Sequence, residues 1–238
     1  MTAPAPPALR LVVPTLREAH GVEAFLAALL PVARGLAAEV VLVDDRSEDG
    51  TAEVARAAIT RLGGGDLARV VVRAGPRGLS ASVLEGWAGA TAPLLGVMDA
   101  DLSHPPGLLP RLVDEVRAGA DVAIASRYVP GGGVEGWPLR RRVVSRAASL
   151  LGRTVVDARD PLSGFFVVRR EVIDGVALRP RGWKIALEVL ARGRVERVAQ
   201  VPFVFRDRAW GRSKFGPRAV VDFLAHLARL HADRLRGR

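Results

Sequence analysis

The chain has 238 residues, 49% of them hydrophobic and none of them cysteine. That is enough apolar material for one well-filled core, and it excludes intrinsic disorder, a disulfide framework and any thiolate nucleophile or thiolate metal site. Against 25 acidic residues stand 35 basic ones, a net charge of +10, which favours an anionic partner; Arg206 to Arg238 holds nine Lys or Arg and three Asp or Glu, so +6 of that +10 lies there. Met1 to Ala8 is rich in Pro and Ala, lacks the charged and apolar regions of a secretory signal, and reads as a flexible lead-in of residues 1–8. No apolar run approaches the roughly 18 residues of a membrane-spanning helix. The expectation is a single-domain chain, soluble or peripheral on the cytoplasmic face of a membrane.

Runs rich in Val, Leu and Ile alternate with helical stretches, the pattern of an α/β protein with a mostly parallel sheet covered on both faces. In chain order the spacing predicts strand Leu9 to Val13, helix Val22 to Val32, strand Glu39 to Val43 and, with Ser47 or Asp49 as its cap, helix Thr51 to Arg61. Next come strand Val70 to Arg73, helix Ser80 to Ala90 and strand Leu94 to Met98, which delivers "DADLSH" at its carboxyl end. Strand Asp121 to Ala125 leads into "SRYVPGGG", whose three glycines predict a mobile loop. A helix carrying Arg140, Arg141 and Arg142 follows, then a strand-like piece at Gly164 to Val168, a helix near Lys184 to Ala191 and a strand through Val201 to Phe205. The last helix begins after Pro217, with apolar positions Val220, Phe223, Leu224, Leu227, Leu230 and Leu235 near helical spacing.

Asp99-Ala100-Asp101 is the strongest chemical signal. Two carboxylates at the end of an apolar strand suit a hard divalent cation held against a diphosphate, although the same pair also occurs as solvated acids at a strand end. Asp44 and Asp45 close another strand, where an acid can accept hydrogen bonds from a base or ribose; helix capping suits Ser47 and Asp49 better than Asp45. Glu18 follows the first strand at the same sheet edge and either reaches the nucleotide or starts a helix.

The segments "VVPTLRE", "VVLVDDRSEDGT", "GVMDADLSHPP", "IASRYVPGGGVEGW" and "DRAWGRSKFG" occur in the order and spacing of dolichol-phosphate mannose synthases, and over about Leu9 to Gly216 the chain resembles that group of inverting family 2 glycosyltransferases with the GT-A fold. The resemblance implies that Pro14, Leu16, Glu18, Val43 and Asp45 line the nucleotide pocket, and that Asp99, Ala100 and Asp101 meet the diphosphate and its Mg or Mn ion. Ser103 matches a further polar metal ligand. Arg208 and Lys214 match a basic pair closing over the donor phosphates, and Arg127, Arg141 and Ser145 match positions that hold the acceptor's lipid phosphate. It further implies GDP-mannose as donor, a polyprenyl phosphate as acceptor, and single displacement with inversion in which Asp99, Asp101 and Arg127 act directly. Asp160 and Ser163 of "DPLSGFF" read as loop residues near the acceptor, and Lys184 of "GWKIALEVL" as packing or orientation.

Leu16, Arg17 and Arg46 depart from the group's pattern, which leaves a UDP-sugar donor with undecaprenyl phosphate as the alternative. The basic helix of residues 217–238 reads equally as a membrane-surface or membrane-partner contact and as a helix packed on its own core. An inactive scaffold is disfavoured by the intact acids and cations. Nucleic-acid binding is disfavoured by 5% aromatic content and by acids where such a reader needs cations.

Overall fold

The computed structural model describes residues 6–207 and 217–236. Its first half is a run of alternating strands and helices: β1 (Leu9–Thr15), α1 (Val22–Gly35), β2 (Ala38–Asp44), α2 (Thr51–Arg61), β3 (Ala68–Val72), α3 (Leu79–Trp87) and β4 (Leu94–Val97). A 3₁₀ turn at Pro106–Leu108 leads into α4 (Leu109–Arg117) and β5 (Val122–Ser126). Then follow β6 (Gly133–Val134), α5 (Leu139–Gly152), β7 (Phe166–Arg169), α6 (Arg170–Ile173), α7 (Ile185–Arg192), β8 (Val198–Pro202), β9 (Val204–Phe205) and α8 (Pro217–Leu235).

Seven strands form one sheet in the order β3-β2-β1-β4-β7-β5-β8. All pairings are parallel except those of β7, which runs antiparallel to both β4 and β5. The chain winds outward from β1 to β3 and then crosses back to β4, so the direction of winding reverses between β1 and β4. The crevice at the carboxyl ends of two such strands is where open α/β sheets bind ligands. Because both sheet faces are covered, β1, β2, β4 and β5 are almost continuously buried. α1 and α4 cover one face, with Phe25, Leu29, Leu109 and Leu112 fully buried. α3 and α7 cover the other, where Trp87 meets Phe166 edge to face, with ring centroids 6.1 Å apart.

Several local expectations are corrected. Helix α4 is absent from the sequence reading although Leu109, Leu112, Val113 and Val116 are buried at helical spacing; the two prolines just ahead of it, Pro105 and Pro106, mask its start. Helix α2 is capped by Gly50 at φ 81°, without a side-chain cap. Asp49 accepts the N–H of Thr51 instead, and Ser47 turns back to donate to Asp44. The glycines of "VPGGG" make a tight turn rather than a loose loop: Gly131 has φ 83°, and a Cβ on Gly132 would lie 2.5 Å from the carbonyl oxygen of Ser126. That turn lets β6 pair with β9, which splits the expected strand Val201 to Phe205 in two.

Helix α8 packs on the body through Phe223, Leu227 and Leu230, set against Val155, Leu162 and Leu187. His226 is completely buried within it, its Nε2 2.6 Å from Oε2 of the equally buried Glu188 on α7. The packed-core reading of this helix is therefore correct for one face; Val220, Val221, Leu224 and Leu235 remain exposed on it.

Gly86 lets α3 approach the sheet beneath the crevice, since a Cβ there would fall 2.6 and 2.7 Å from the Val12 methyl groups and 3.0 Å from a Val43 methyl. Gly86→Ala is expected to overpack this contact and destabilise the fold by about 1–3 kcal/mol, measured as a lowered midpoint of chemical denaturation.

Candidate active site

The donor side of the crevice is built from the ends of β1, β2 and β4. In the loops leaving these strands, Arg17, Arg46 and Leu102 all hold φ 58°, a left-handed conformation that is strained for a side chain with a Cβ and clusters at functional turns. Two of the three are positions where the chain departs from its look-alikes. Pro14, Leu16 and Glu18 are partly exposed along the rim, and the Glu18 amide donates to Thr51 Oγ1 at 2.9 Å. Val43 and Ala100, expected to line the pocket, are buried in the core, so their part is to fix the strand ends that carry the acids.

Asp44 accepts hydrogen bonds from Ser47 N and Oγ at 2.8 and 2.6 Å. Asp45, expected to face a nucleotide, is 4% exposed. Its Oδ1 accepts from Arg73 Nη1 and its Oδ2 from the Gly78 N–H, both at 2.7 Å. Gly78 caps α3, so this carboxylate ties the β3–α3 connection to the end of β2. Arg73 in turn donates to Glu85 Oε2 at 2.9 Å.

Asp99 and Asp101 leave β4 together. Asp99 is one-third exposed, and its Oδ2 lies 3.6 Å from Nδ1 of His104. That imidazole is buried in a box of Phe165, Phe203 and Phe205, with ring centroids at 5.5 to 5.6 Å. Asp101 is buried, and its Oδ1 accepts from Ser103 Oγ at 2.5 Å and Ser103 N at 3.1 Å. Ser103 therefore braces Asp101. Among the described residues no three His, Cys, Asp or Glu side chains gather around one point. Two hard carboxylates in one short loop fit a divalent cation that completes its shell with diphosphate oxygens and water. Arg208 and Lys214, expected to close over those phosphates, lie outside the described residues.

The acceptor side centres on a residue the sequence left without a role. Asp160 is completely buried. Its Oδ2 accepts from Arg127 Nε at 2.8 Å and from the Arg127 N–H at 3.0 Å, and its Oδ1 accepts from Arg127 Nη2 at 2.7 Å. Burial alone would lower the Arg127 pKa, but the charge and hydrogen bonds of Asp160 more than offset it and raise it. The guanidinium carbon sits 5.2 Å from the ring centre of Tyr128, 5.7 Å from that of Trp137 and 5.9 Å from that of Phe205. Arg141 stacks on the same Trp137 at 4.0 Å and is gripped by both oxygens of Asp207 at 3.0 Å. Ser145 accepts from the Tyr128 hydroxyl at 2.8 Å. The fold thus gathers Arg127, Arg141 and Ser145 around Trp137 and Tyr128.

The loop bearing Asp160 also joins the two sides. A Cβ on Gly164 would lie 2.8 Å from Asp99 Oδ2, so only glycine lets this loop pass the acids of β4. The carbonyl of Leu162, midway along it, accepts from Lys184 Nζ at 3.4 Å. Burial, reinforced by the charge of Arg127 and opposed by those of Asp160 and Asp99, lowers the Lys184 ammonium to a pKa of about 8.

A mostly parallel sheet that reverses its winding between β1 and β4, with paired acids at that point, is the arrangement of a GT-A glycosyltransferase fold. Residues 11–176 match the family model described as glycosyl transferase family 2, and the chain belongs to that family. It is 39% identical over 224 residues to the dolichol-phosphate mannosyltransferase of Pyrococcus furiosus, covering 92% of this chain and 62% of that protein. With the dolichol-phosphate mannosyltransferase of Saccharomyces cerevisiae it shares 37% identity over 202 residues, 81% of this chain and 74% of that one. The chain therefore spans less than two thirds of the archaeal relative. Among solved structures, glucosyl-3-phosphoglycerate synthase of Mycobacterium tuberculosis superposes with a TM-score of 0.68 at 20% identity, over 96% of this chain and 80% of that one. The same enzyme in complex with Mn2+, UDP-glucose and glycerol 3-phosphate gives a TM-score of 0.64 at 20% identity, over 94% and 76%. These likenesses show the fold.

Asp160→Asn keeps the shape of the carboxylate but strands the buried guanidinium of Arg127 without its counter-charge. It is expected to lower stability by about 3–5 kcal/mol, read from the chemical denaturation midpoint; an unchanged midpoint would show that the pair does not hold the acceptor side together.

Proposed function

We propose that the chain transfers mannose from GDP-mannose to a polyprenyl phosphate, with inversion at the anomeric carbon. The observation that carries this reading is the gathering of Arg127 and Arg141 over one tryptophan ring, on the far side of the Asp160–Gly164 loop from the paired acids of β4. It provides two separately built places for anions, one for a diphosphate and one for a phosphate monoester. The names of the archaeal and yeast relatives support the sugar and the lipid.

A phosphate monoester is already anionic near neutral pH and attacks without a general base, so the protein's work is to place it and to stabilise the departing diphosphate. Arg127, locked by Asp160, offers a planar fork already desolvated and oriented, which suits phosphate better than a freely rotating cation. Arg141, less buried and stacked on Trp137, closes the same place from α5. When bound by Asp99 and Asp101, Mg2+ or Mn2+ supplies charge neutralisation to the leaving nucleoside diphosphate. Asp45, braced by Arg73, and the rim residues Pro14, Leu16 and Glu18 receive the nucleoside.

The acceptor arrangement also fits a lipid surface. No described helix is long and apolar enough to cross a membrane. Helix α5, which carries Arg141 and Ser145, nevertheless buries only Ser149 and Gly152. It leaves Leu139, Val143, Val144, Leu150 and Leu151 exposed beside Arg140, Arg142 and Arg146. An apolar stripe flanked by arginines matches the boundary between acyl chains and anionic head groups, so α5 joins the outer face of α8 as the membrane-facing surface and serves the acceptor from the interface.

The deciding experiment measures label transferred from GDP-mannose, and in parallel from UDP-glucose, to a short polyprenyl phosphate with Mg2+ or Mn2+. Label from GDP-mannose that disappears with chelator and in Asp101→Ala is the expected result; label from UDP-glucose alone would replace the donor, and label from neither would overturn the reading. For the surface, Val143→Glu combined with Leu150→Glu is expected to abolish co-flotation with vesicles containing anionic phospholipid without changing the melting temperature. Flotation equal to the unsubstituted chain would remove α5 from the interface.

A further inference from the structure

Of the 35 basic residues in the chain only two are lysines, Lys184 and Lys214; all others are arginines. A lysine in such a sequence marks a place where arginine's planar fork does not serve. Lys184 stands at the amino end of α7, partly buried, and burial together with the Arg127 charge lowers its ammonium to a pKa of about 8. A buried cation ordinarily finds a carboxylate. Arg127 has Asp160 and Arg141 has Asp207, but Lys184 has no carboxylate within ion-pair distance among the described residues. Its one hydrogen bond is the 3.4 Å contact to the carbonyl of Leu162, longer than the usual N–H···O range, and its remaining support is the Trp183 ring at 4.3 Å.

Lys184 Nζ reaches the Leu162 carbonyl in the loop that runs from Asp160, the counter-ion of Arg127, to Gly164 beside Asp99, so it lies against the loop that joins the acceptor cations to the acids of β4, and the charges of Arg127, Asp160 and Asp99 act on it. Arg127 is paired with Asp160 and Arg141 with Asp207, so beside them Arg146, 5.6 Å from the Tyr128 ring centre, supplies one further positive charge, less than a phosphate dianion calls for. We propose that Lys184 holds the acceptor's phosphate monoester, its compact ammonium donating to a phosphate oxygen beside Arg127 and so completing the anion site from the α7 side. This assignment rests on the reading of the chain as a transferase to a lipid phosphate. Lysine suits the position because a point charge on a flexible stem fits the narrow space behind a guanidinium already fixed by its carboxylate. The anion also supplies a directly contacting counter-charge, where among the described residues Asp160 and Asp99 act on the ammonium only from beyond ion-pair distance, so ligand and ammonium stabilise one another.

The test has two arms. In steady-state transfer from GDP-mannose to a short polyprenyl phosphate, Lys184→Met is expected to raise the acceptor KM about tenfold or more, the loss of one charge-assisted hydrogen bond. The donor KM should stay unchanged, and Lys184→Arg should restore part of the loss. An unchanged acceptor KM, or a rise confined to the donor, would overturn the assignment while leaving the function standing. The second arm needs no turnover and no loss of the side chain. With 13Cε-lysine the full chain gives two lysine signals, Lys214 being assigned from Lys214→Arg. Inorganic phosphate is expected to shift the Lys184 signal saturably, and the polyprenyl phosphate in detergent to shift it at lower concentration. No shift with either anion would overturn the proposal even if the chain proved to transfer a different sugar.

Discussion

Asp160 contributes both carboxylate oxygens and a completely buried position to one partner, the side chain and backbone amide of Arg127. An ion pair taken so far from water gains little net stability over an apolar pair of the same size, because desolvation consumes the Coulombic attraction. What it gains is a fixed geometry. The two residues sit 33 positions apart on the ends of β5 and of the long connection after α5, and satisfying the carboxylate on both oxygens leaves the guanidinium one orientation. The rings of Tyr128, Trp137 and Phe205 close around that orientation, Arg141 stacks on one of them, and the remainder of the Asp160 loop runs on past Asp99.

The two sides of the crevice obey different electrostatic rules. On the donor side acids dominate, and each is braced by neutral donors or a buried arginine: Asp101 by Ser103, Asp44 by Ser47, Asp45 by Arg73. Such bracing holds each carboxylate in one orientation at its strand end. On the side of Trp137 and Tyr128 cations dominate, and Arg127 and Arg141 are each held by a carboxylate. The glycine at position 164 allows the two regimes to abut, since any side chain there would collide with Asp99.

How much of this was legible in the sequence follows from the range of the interactions. Strands β1 to β5 and helices α1 to α3 are βα units whose apolar periodicity is written within a dozen residues, and their order points to a parallel sheet. The acids of β4 were legible because a strand end next to two carboxylates is itself a local pattern. Asp160 was not: nothing within a few residues of it distinguishes a buried counter-ion from a loop acid, and its partner lies on another strand. The antiparallel insertion of β7 between β4 and β5 was equally hidden, because a four-residue apolar strand carries no sign of its direction. Val43 and Ala100, which the resemblance sets at the nucleotide and the diphosphate, have buried side chains, a feature that a motif match does not reveal. In the last helix, periodicity alone could not separate the face closed by His226 and Leu227 from the face left open.

The sheet order also sets a timetable for assembly. All strands and acids of the β1–β4 side belong to the first 101 residues and pair in adjacent parallel units. The acceptor side draws on Arg127, Asp160 and β9, and the central sheet is continuous only once β7 inserts between strands that precede it by tens of residues. On a ribosome, a chain of this design has the crevice between β1 and β4 in outline while Asp160 and the strands that close around Arg127 are still being made, and β4 waits with one edge unpaired until β7 emerges.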